Sequence, residues 1–177
     1  DVDGVAPEVD AVTGPAAATY TESAVLNISV DFDERLEVDE TLGSPTLDVE
    51  IGSDNIEFLL TNVNVSSGIL RFSYTVADGD LDTDGITVGA INLNGSVISD
   101  EAGNAAVLTL NNVFADNNVL IDAAKPVITS VGAPNNVYTS PSGALSFQIF
   151  FDEVVTITGT PQLTIDVGGD IITLDYT

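Results

Sequence analysis

Apolar and polar positions alternate with a period of two along most of the chain. Between residues 24 and 32, Val25, Leu26, Ile28, Val30 and Phe32 are set against Asn27, Ser29 and Asp31, the signature of a half-buried strand. Val9 to Val12 starts a short strand before it, after Pro7 forbids a helix. Leu47, Val49 and Ile51 make the next alternation, closed by Gly52-Ser53-Asp54-Asn55. Residues 56–65 and 69–77 predict two longer strands joined at hairpin length by Ser66-Ser67-Gly68. Ile86 to Leu93 and Val97 to Ser99 predict two more, with Asn94-Gly95 as a two-residue hairpin signal between them, and Val107 to Leu110 follows. No window holds a helical period. About seven short strands with frequent turns predict an all-β chain of antiparallel Greek-key sandwich type.

The same pattern occurs twice. An offset of 119 carries Pro7, Val9 and Val12 to Pro126, Ile128 and Val131. It also carries Leu26, Ile28, Val30, Phe32, Asp33 and Glu34 to Leu145, Phe147, Ile149, Phe151, Asp152 and Glu153. After a short deletion, Pro45, Leu47, Val49, Ile51 and Gly52 match Pro161, Leu163, Ile165, Val167 and Gly168. The expected organisation is a linker over 1–6, a complete module over 7–122, a linker over 123–125 and the first half of a second module over 126–177. Half a sandwich leaves a bare apolar face and open strand edges, so the second copy is expected to be either cut from a longer array or completed by another chain.

Charge changes the picture more than length does. The 177 residues carry 28 acidic and 3 basic side chains, a net charge of −25, with 44% hydrophobic residues to fill a core. Such a surface repels nucleic acid and anionic membrane and holds divalent cations, so neither nucleic-acid binding nor direct membrane insertion is expected. There is no Cys, Met, Trp or His. That removes disulfides, thiol chemistry, the usual general base and the usual zinc ligands, and leaves a hard, oxygen-seeking ion as the fitting metal. A Cys-free, strongly acidic chain fits an exported bacterial surface protein stabilised by ions.

The acids are not spread evenly. Asp78, Asp80, Asp82 and Asp84 stand at every second position and Gly85 closes the run, with Arg71 the only basic residue between Arg35 and Lys125. Two such charges about 6 Å apart repel by roughly 0.7 kcal/mol even in water. Asp80, Asp82 and Asp84 fall at positions 1, 3 and 5 of a calcium loop, Gly85 at its turn, and the Ile86 carbonyl at the next ligand position. Position 12 is Ile91 rather than Glu, so remaining ligands must come from elsewhere, and a solvated acidic turn is the alternative. The turn Asp100-Glu101-Ala102-Gly103-Asn104 is a second candidate, as calcium ligands or as side chains bonding their own backbone.

The run from Tyr74 to Ile86, the Asp100–Asn104 turn, and Phe151-Asp152-Glu153-Val154-Val155 with Thr158-Gly159-Thr160-Pro161-Gln162-Leu163-Thr164-Ile165 resemble bacterial immunoglobulin-like repeats, in particular the SwmB-like repeat of very large exported surface proteins and adhesins. Leu42-Gly43-Ser44-Pro45 departs from the Thr-Gly-Thr-Pro form. The resemblance implies tandem rod-like modules, commonly with calcium at their junctions, as in cadherin ectodomains. In a seven-strand sandwich of this kind the acids sort to two poles. Asp78, Asp80, Asp82 and Asp84, with Asp122, fall where the first copy ends, facing Asp152 and Glu153 of the second. Asp3, Asp33, Glu34, Asp100, Glu101 and Asn104 make the matching group where the first copy begins.

The expected function is therefore a structural spacer of a bacterial cell-surface adhesin or fibre, extracellular and stiffened by Ca2+, with adjacent repeats as partners. A filament or surface-layer subunit completed by identical chains is an alternative, as is a carbohydrate- or protein-binding module. Tyr20, Tyr74, Tyr138 and Tyr176 are too dispersed for a sugar-stacking platform. Catalysis is not expected, because glycoside hydrolysis by paired carboxylates needs a lined cleft and one acid of raised pKa.

Overall fold

The computed structural model describes residues 3–135, 138 and 145–177. It divides into two compact units, Asp1–Lys125 and Pro126–Thr177. In the first unit the strands are β1 (Val9–Thr13), β2 (Ala18–Tyr20), β3 (Val25–Phe32), β4 (Glu37–Asp39), β5 (Thr46–Ile51), β6 (Asp54–Asn64), β7 (Ile69–Thr75), β8 (Leu81–Asp82), β9 (Thr87–Asn92), β10 (Val97–Ser99) and β11 (Val119–Asp122). A six-stranded antiparallel sheet has the order β1-β3-β7-β6-β5-β9, and the smaller sheets are β2-β11-β8 and β4-β10. The class is all-β and sandwich-like.

Alternation decides which face goes inward. Leu26, Ile28, Val30 and Phe32 of β3, Leu47, Val49 and Ile51 of β5, and Leu70 and Phe72 of β7 are buried in one cluster with Ile86, Ile98, Val119 and Ile121. Residues between them on each strand remain on the outer surface, where Thr61, Ser73 and Asn27 form a hydrogen-bonded row across β6, β7 and β3. Val25 departs from the expected inward set and is exposed, since Leu26 beside it takes the core position.

Three features differ from the sequence expectation. First, β2 and β11 run parallel, from Val119 opposite Ala18 to Ile121 opposite Tyr20. Pro15, which has no N–H for a ladder, lies in the break after β1, and the chain resumes as β2 in the other sheet. Second, Asn94-Gly95 forms a tight turn, with φ of 51° and 93° and Ser96 N–H donating to Leu93 O at 2.8 Å. The strands it joins nevertheless part, β9 pairing with β5 and β10 with β4. Third, residues 107–110 form no strand; the stretch 107–113 follows residues 8–12 through two isolated parallel bridges, Glu8 to Val107 and Val12 to Val113. Side-chain amides take up backbone acceptors there, Asn111 on Val9 O at 3.1 Å and Asn112 on Asp10 O at 2.8 Å. This covers the edge of β1 that would otherwise invite pairing.

The second unit contains β12 (Ile128–Gly132), β13 (Gln148–Phe151), β14 (Gln162–Val167) and β15 (Asp170–Asp175), as two separate two-stranded sheets. In β1–β3, Val9 faces Phe32, Val12 faces Val30 and Thr13 faces Ser29, with a bulge between Val9 and Ala11. In β12–β13, Ile128 faces Phe151, Val131 faces Ile149 and Gly132 faces Gln148, with a bulge between Ile128 and Ser130, so every pair is displaced by 119. The six pairs of β5–β6, from Thr46–Leu59 to Ile51–Asp54, recur in β14–β15 from Gln162–Asp175 to Val167–Asp170, displaced by 116. The register is the same but the burial is not. Among the described residues of this unit none is buried.

Candidate metal centre

One acidic group converges. Asp3, Glu34 and Asp100 each bring a carboxylate oxygen within 4.8 Å of the others, and among the described residues they are the only such group of three or more. Asp3 comes from the incoming segment, Glu34 from the turn after β3, and Asp100 from the turn after β10. Each is held locally. Asp3 Oδ1 accepts the Val5 N–H at 3.1 Å. Asp33 Oδ1 accepts the Glu8 N–H at 2.9 Å while Asp33 N–H donates to Glu8 O at 3.0 Å, so the residue before Glu34 is stapled to the strand that follows Asp3. Gly68, at φ 67°, packs against the backbone of the turn that carries Glu34: Phe32 N–H bonds Gly68 O at 2.8 Å, and a Cβ at Gly68 would strike the Glu34 carbonyl.

Asp100 is buried, and Asn104 explains how. Asp100 Oδ1 accepts the Asn104 backbone N–H at 2.8 Å and Oδ2 its Nδ2 at 2.6 Å. The same Nδ2 reaches Val5 O at 3.1 Å and Asp3 O at 3.4 Å, tying the turn to the incoming segment. Those bonds from Asn104 hold the Asp100 carboxyl below its ordinary range against the opposing effect of burial. Glu34 goes the other way, pushed up first by burial and then by the charges of Asp100, Asp3 and Asp33. The opposite directions are consistent: Asp100 stays ionised by its hydrogen bonds, and Glu34 bears the repulsion. The single ion pair among the described residues is Lys125 with Asp78, so no side-chain cation relieves the cluster. Glu101 is exposed and lies beside a groove that Arg35 also lines.

The alternating run does not converge in this way. Asp78 pairs with Lys125 Nζ at 2.5 Å, 47 residues away in sequence. Local sequence, in which Arg71 is the only basic residue between Arg35 and Lys125, gives no sign of this partner. Asp80 Oδ2 accepts the Tyr74 hydroxyl at 2.7 Å and the Ala77 N–H at 2.8 Å. Tyr74 stacks on Phe58 with centroids 5.2 Å apart, and burial followed by the Asp80 bond pushes its phenol up to about 12. Asp82 is buried and its carboxylate is occupied by backbone: Gly52 N–H at 2.7 Å on one oxygen, Gly85 at 2.6 Å and Asp84 at 3.2 Å on the other. Asp84 is exposed. Ile86 buries its side chain in the core and donates its N–H to Val119 O at 3.2 Å.

Asp122 is exposed at the end of β11, opposite Leu81 of β8. In the second unit Asp152 repeats the staple of Asp33, accepting the Val127 N–H at 2.8 Å, and Glu153 is exposed. The segment 123–125, expected as a linker, is tied down: Ala123 N–H donates to Asp80 O at 2.8 Å, and Gly79 N–H to Ala123 O at 2.9 Å.

A hard divalent ion is coordinated by six to eight oxygens, several of them carboxylate. The donor set of Asp3, Glu34 and Asp100 fits that chemistry, with three carboxylates from three turns, an uncompensated negative charge and no nitrogen or sulfur ligand. No protein-family model matches the chain, nor does any curated protein or solved structure. No helix among the described residues is long and apolar enough to cross a membrane.

Proposed function

We propose that the chain is an immunoglobulin-like spacer of a bacterial cell-surface adhesin or fibre, whose first module is fastened by Ca2+ where the chain enters it. The observation that carries this reading is the meeting of Asp3, Glu34 and Asp100, which joins the incoming segment to two turns of the sandwich. An ion held by all three would offset the burial and, after it, the neighbouring charges that together raise the Glu34 pKa, and would fix the direction of the incoming segment. The repeated registers of β1–β3 in β12–β13 and of β5–β6 in β14–β15 support a tandem arrangement. The charge of −25 supports solubility and cation attraction in an extracellular setting.

The experiment is thermal unfolding of the full chain in chelator and in increasing calcium at fixed ionic strength. Binding to the native state alone raises the midpoint of the first unit with the logarithm of free calcium, by about 2.7 kcal/mol of stability at a hundred times Kd. Glu34→Gln should abolish most of that response. An unchanged midpoint, or an equal shift with sodium, would leave the acids as a solubilising coat and remove the reading.

A further inference from the structure

We infer that Asn94-Gly95 is a self-modification site gated by its own turn: the Asn94 amide is lost, to aspartate or isoaspartate, only while the turn between β9 and β10 is open, and isoaspartate cannot close that turn again. The inference rests on contacts within the first unit and is independent of calcium.

The chemistry needs two groups of the chain and water. The backbone nitrogen of Gly95 gives up its proton and attacks Asn94 Cγ; the Cγ–Nδ2 bond breaks, ammonia leaves and a five-membered imide remains. Water then opens the imide at either carbonyl, giving aspartate or, with a methylene added to the main chain, isoaspartate. No oxidant, metal or enzyme takes part, and each event adds one negative charge. Glycine, having no Cβ, leaves this nitrogen the most open to ring closure. Asn94-Gly95 is the one Asn-Gly pair in the sequence.

The structure holds the electrophile and leaves the nucleophile free. Asn94 Nδ2 donates to Thr46 Oγ1 at 3.0 Å and to Ser44 O at 3.3 Å, which draws the amide across to the start of β5, where Thr46 is buried. The backbones fit as closely, since a Cβ at Gly43 would strike Asn94 O. Ser96 N–H closes the turn on Leu93 O at 2.8 Å. Gly95 is exposed, and its N–H donates to no acceptor among the described residues. Ring closure therefore requires the Asn94 side chain to leave Ser44 and Thr46 and fold over the Gly95 nitrogen. The Asp-Gly pairs at Asp78 and Asp84 are arranged the other way. Gly79 N–H donates to Ala123 O at 2.9 Å and Gly85 N–H to Asp82 Oδ1 at 2.6 Å, so there the nucleophile is held.

The contacts do not return after reaction. An acid at position 94 sets an oxygen against Ser44 O, where the amide set a donor. The added methylene of isoaspartate has no room in a turn whose Asn94 carbonyl lies against Gly43.

The test incubates the full chain in mildly alkaline buffer, folded and in guanidinium, and follows Asn94 by peptide mass mapping with isoaspartate detection. Asn94 should convert in the unfolded chain and at least about tenfold more slowly in the folded one, because only the locally opened fraction reacts. That slowing should match, within about threefold, the protection of the Ser96 amide against hydrogen exchange in the same buffer, which reports the same opening. Thr46→Val, which keeps the volume but removes one acceptor, should speed the folded reaction about threefold or more and leave the unfolded rate unchanged. Chains in which Asn94 has become isoaspartate should lose the Ser96 protection. Equal folded and unfolded rates, a slowing unrelated to Ser96 protection, no acceleration in folded Thr46→Val, or an isoaspartate chain that keeps its Ser96 protection would each overturn the inference.

Discussion

Replacing Asp82 separates a structural carboxylate from a metal ligand. Its side chain is 3% exposed and accepts backbone N–H groups from Gly52, Gly85 and Asp84, of which the 2.7 and 2.6 Å bonds are strong and the 3.2 Å bond is weak. Hydrogen bonds to a charged group contribute roughly 1.5–3 kcal/mol each, and a buried donor left without a partner costs about 1–3 kcal/mol. Gly52 and Asp84 are exposed, so water recovers part of the loss. Asp82→Ala should therefore destabilise the first unit by about 4 kcal/mol. Asp82→Asn, which keeps one acceptor oxygen but turns an amide nitrogen toward a donor, should cost about 2–3 kcal/mol. With an m-value of about 2 kcal/mol/M, the alanine variant lowers the urea midpoint by roughly 2 M. The assay is urea unfolding followed by circular dichroism, in chelator and again in calcium, and the loss should be the same in both. If Asp82→Asn left the chelator midpoint within about 0.3 M of the parent and instead removed the calcium response, the carboxylate would be a ligand and the hydrogen-bond argument would fail.

Glu34→Gln should raise stability in chelator at neutral pH, because the folded-state pKa is raised: the protonated form is favoured below the unfolded value of 4.5, and the advantage is lost as pH rises through the folded value. Paired denaturation curves should therefore show the variant ahead at pH 7 and level with the parent below pH about 4. Asp100 has the opposite sign, since its pKa is lowered from 3.8; its contribution is present above that value and lost as pH falls through the folded one, which carboxyl chemical shifts can follow. Leu26→Ala should cost about 2–5 kcal/mol at a fully buried site. The equivalent Leu145→Ala, at 41% exposure, should cost under about 1 kcal/mol, and equal losses in denaturant would contradict the burial difference. Gly68→Ala, at φ 67° and against the Glu34 carbonyl, should lower the melting temperature and weaken calcium binding together, read by calorimetry.

Local patterning made most of the strands legible. The inward residues of β3, β5 and β7 follow from alternation alone, and the offset of 119 anticipates paired registers that include the same bulge. Partners far apart in sequence were not legible. Nothing local to Asp78 announces Lys125, and nothing local to Asp82 announces the Gly52 N–H, 30 residues before it. The calcium-loop spacing weighed carboxylates by position, whereas a buried carboxylate is claimed first by whichever backbone donors the fold leaves unpaired. A signal for that claim was present, because Asp82-Thr83-Asp84-Gly85 is also a turn in which the first side chain bonds the following backbone. Asp3, Glu34 and Asp100 carry no motif between them. Only the sorting of turns to one end of the sandwich suggests that they meet. Glu37–Asp39 was hidden within a turn-rich stretch because its pairing with Val97–Ser99 is short and distant.

The parallel pairing of β2 with β11 has a mechanical meaning. β2 belongs to the incoming end of the first unit and β11 to its outgoing end, and the two strands point the same way. Tension applied across the unit draws them lengthwise past one another rather than peeling them apart. The bonds of the Ala18–Tyr20 and Val119–Ile121 ladder are then loaded together in shear, and the parallel bridges of Glu8 to Val107 and Val12 to Val113 lie in the same orientation. A hairpin pulled at its open end gives way one bond at a time, so this unit should resist stretching more than a unit whose terminal strands pair as such a hairpin. In single-molecule pulling, Pro substitutions at Thr19 and Leu120 should lower the rupture force more than they lower the melting temperature.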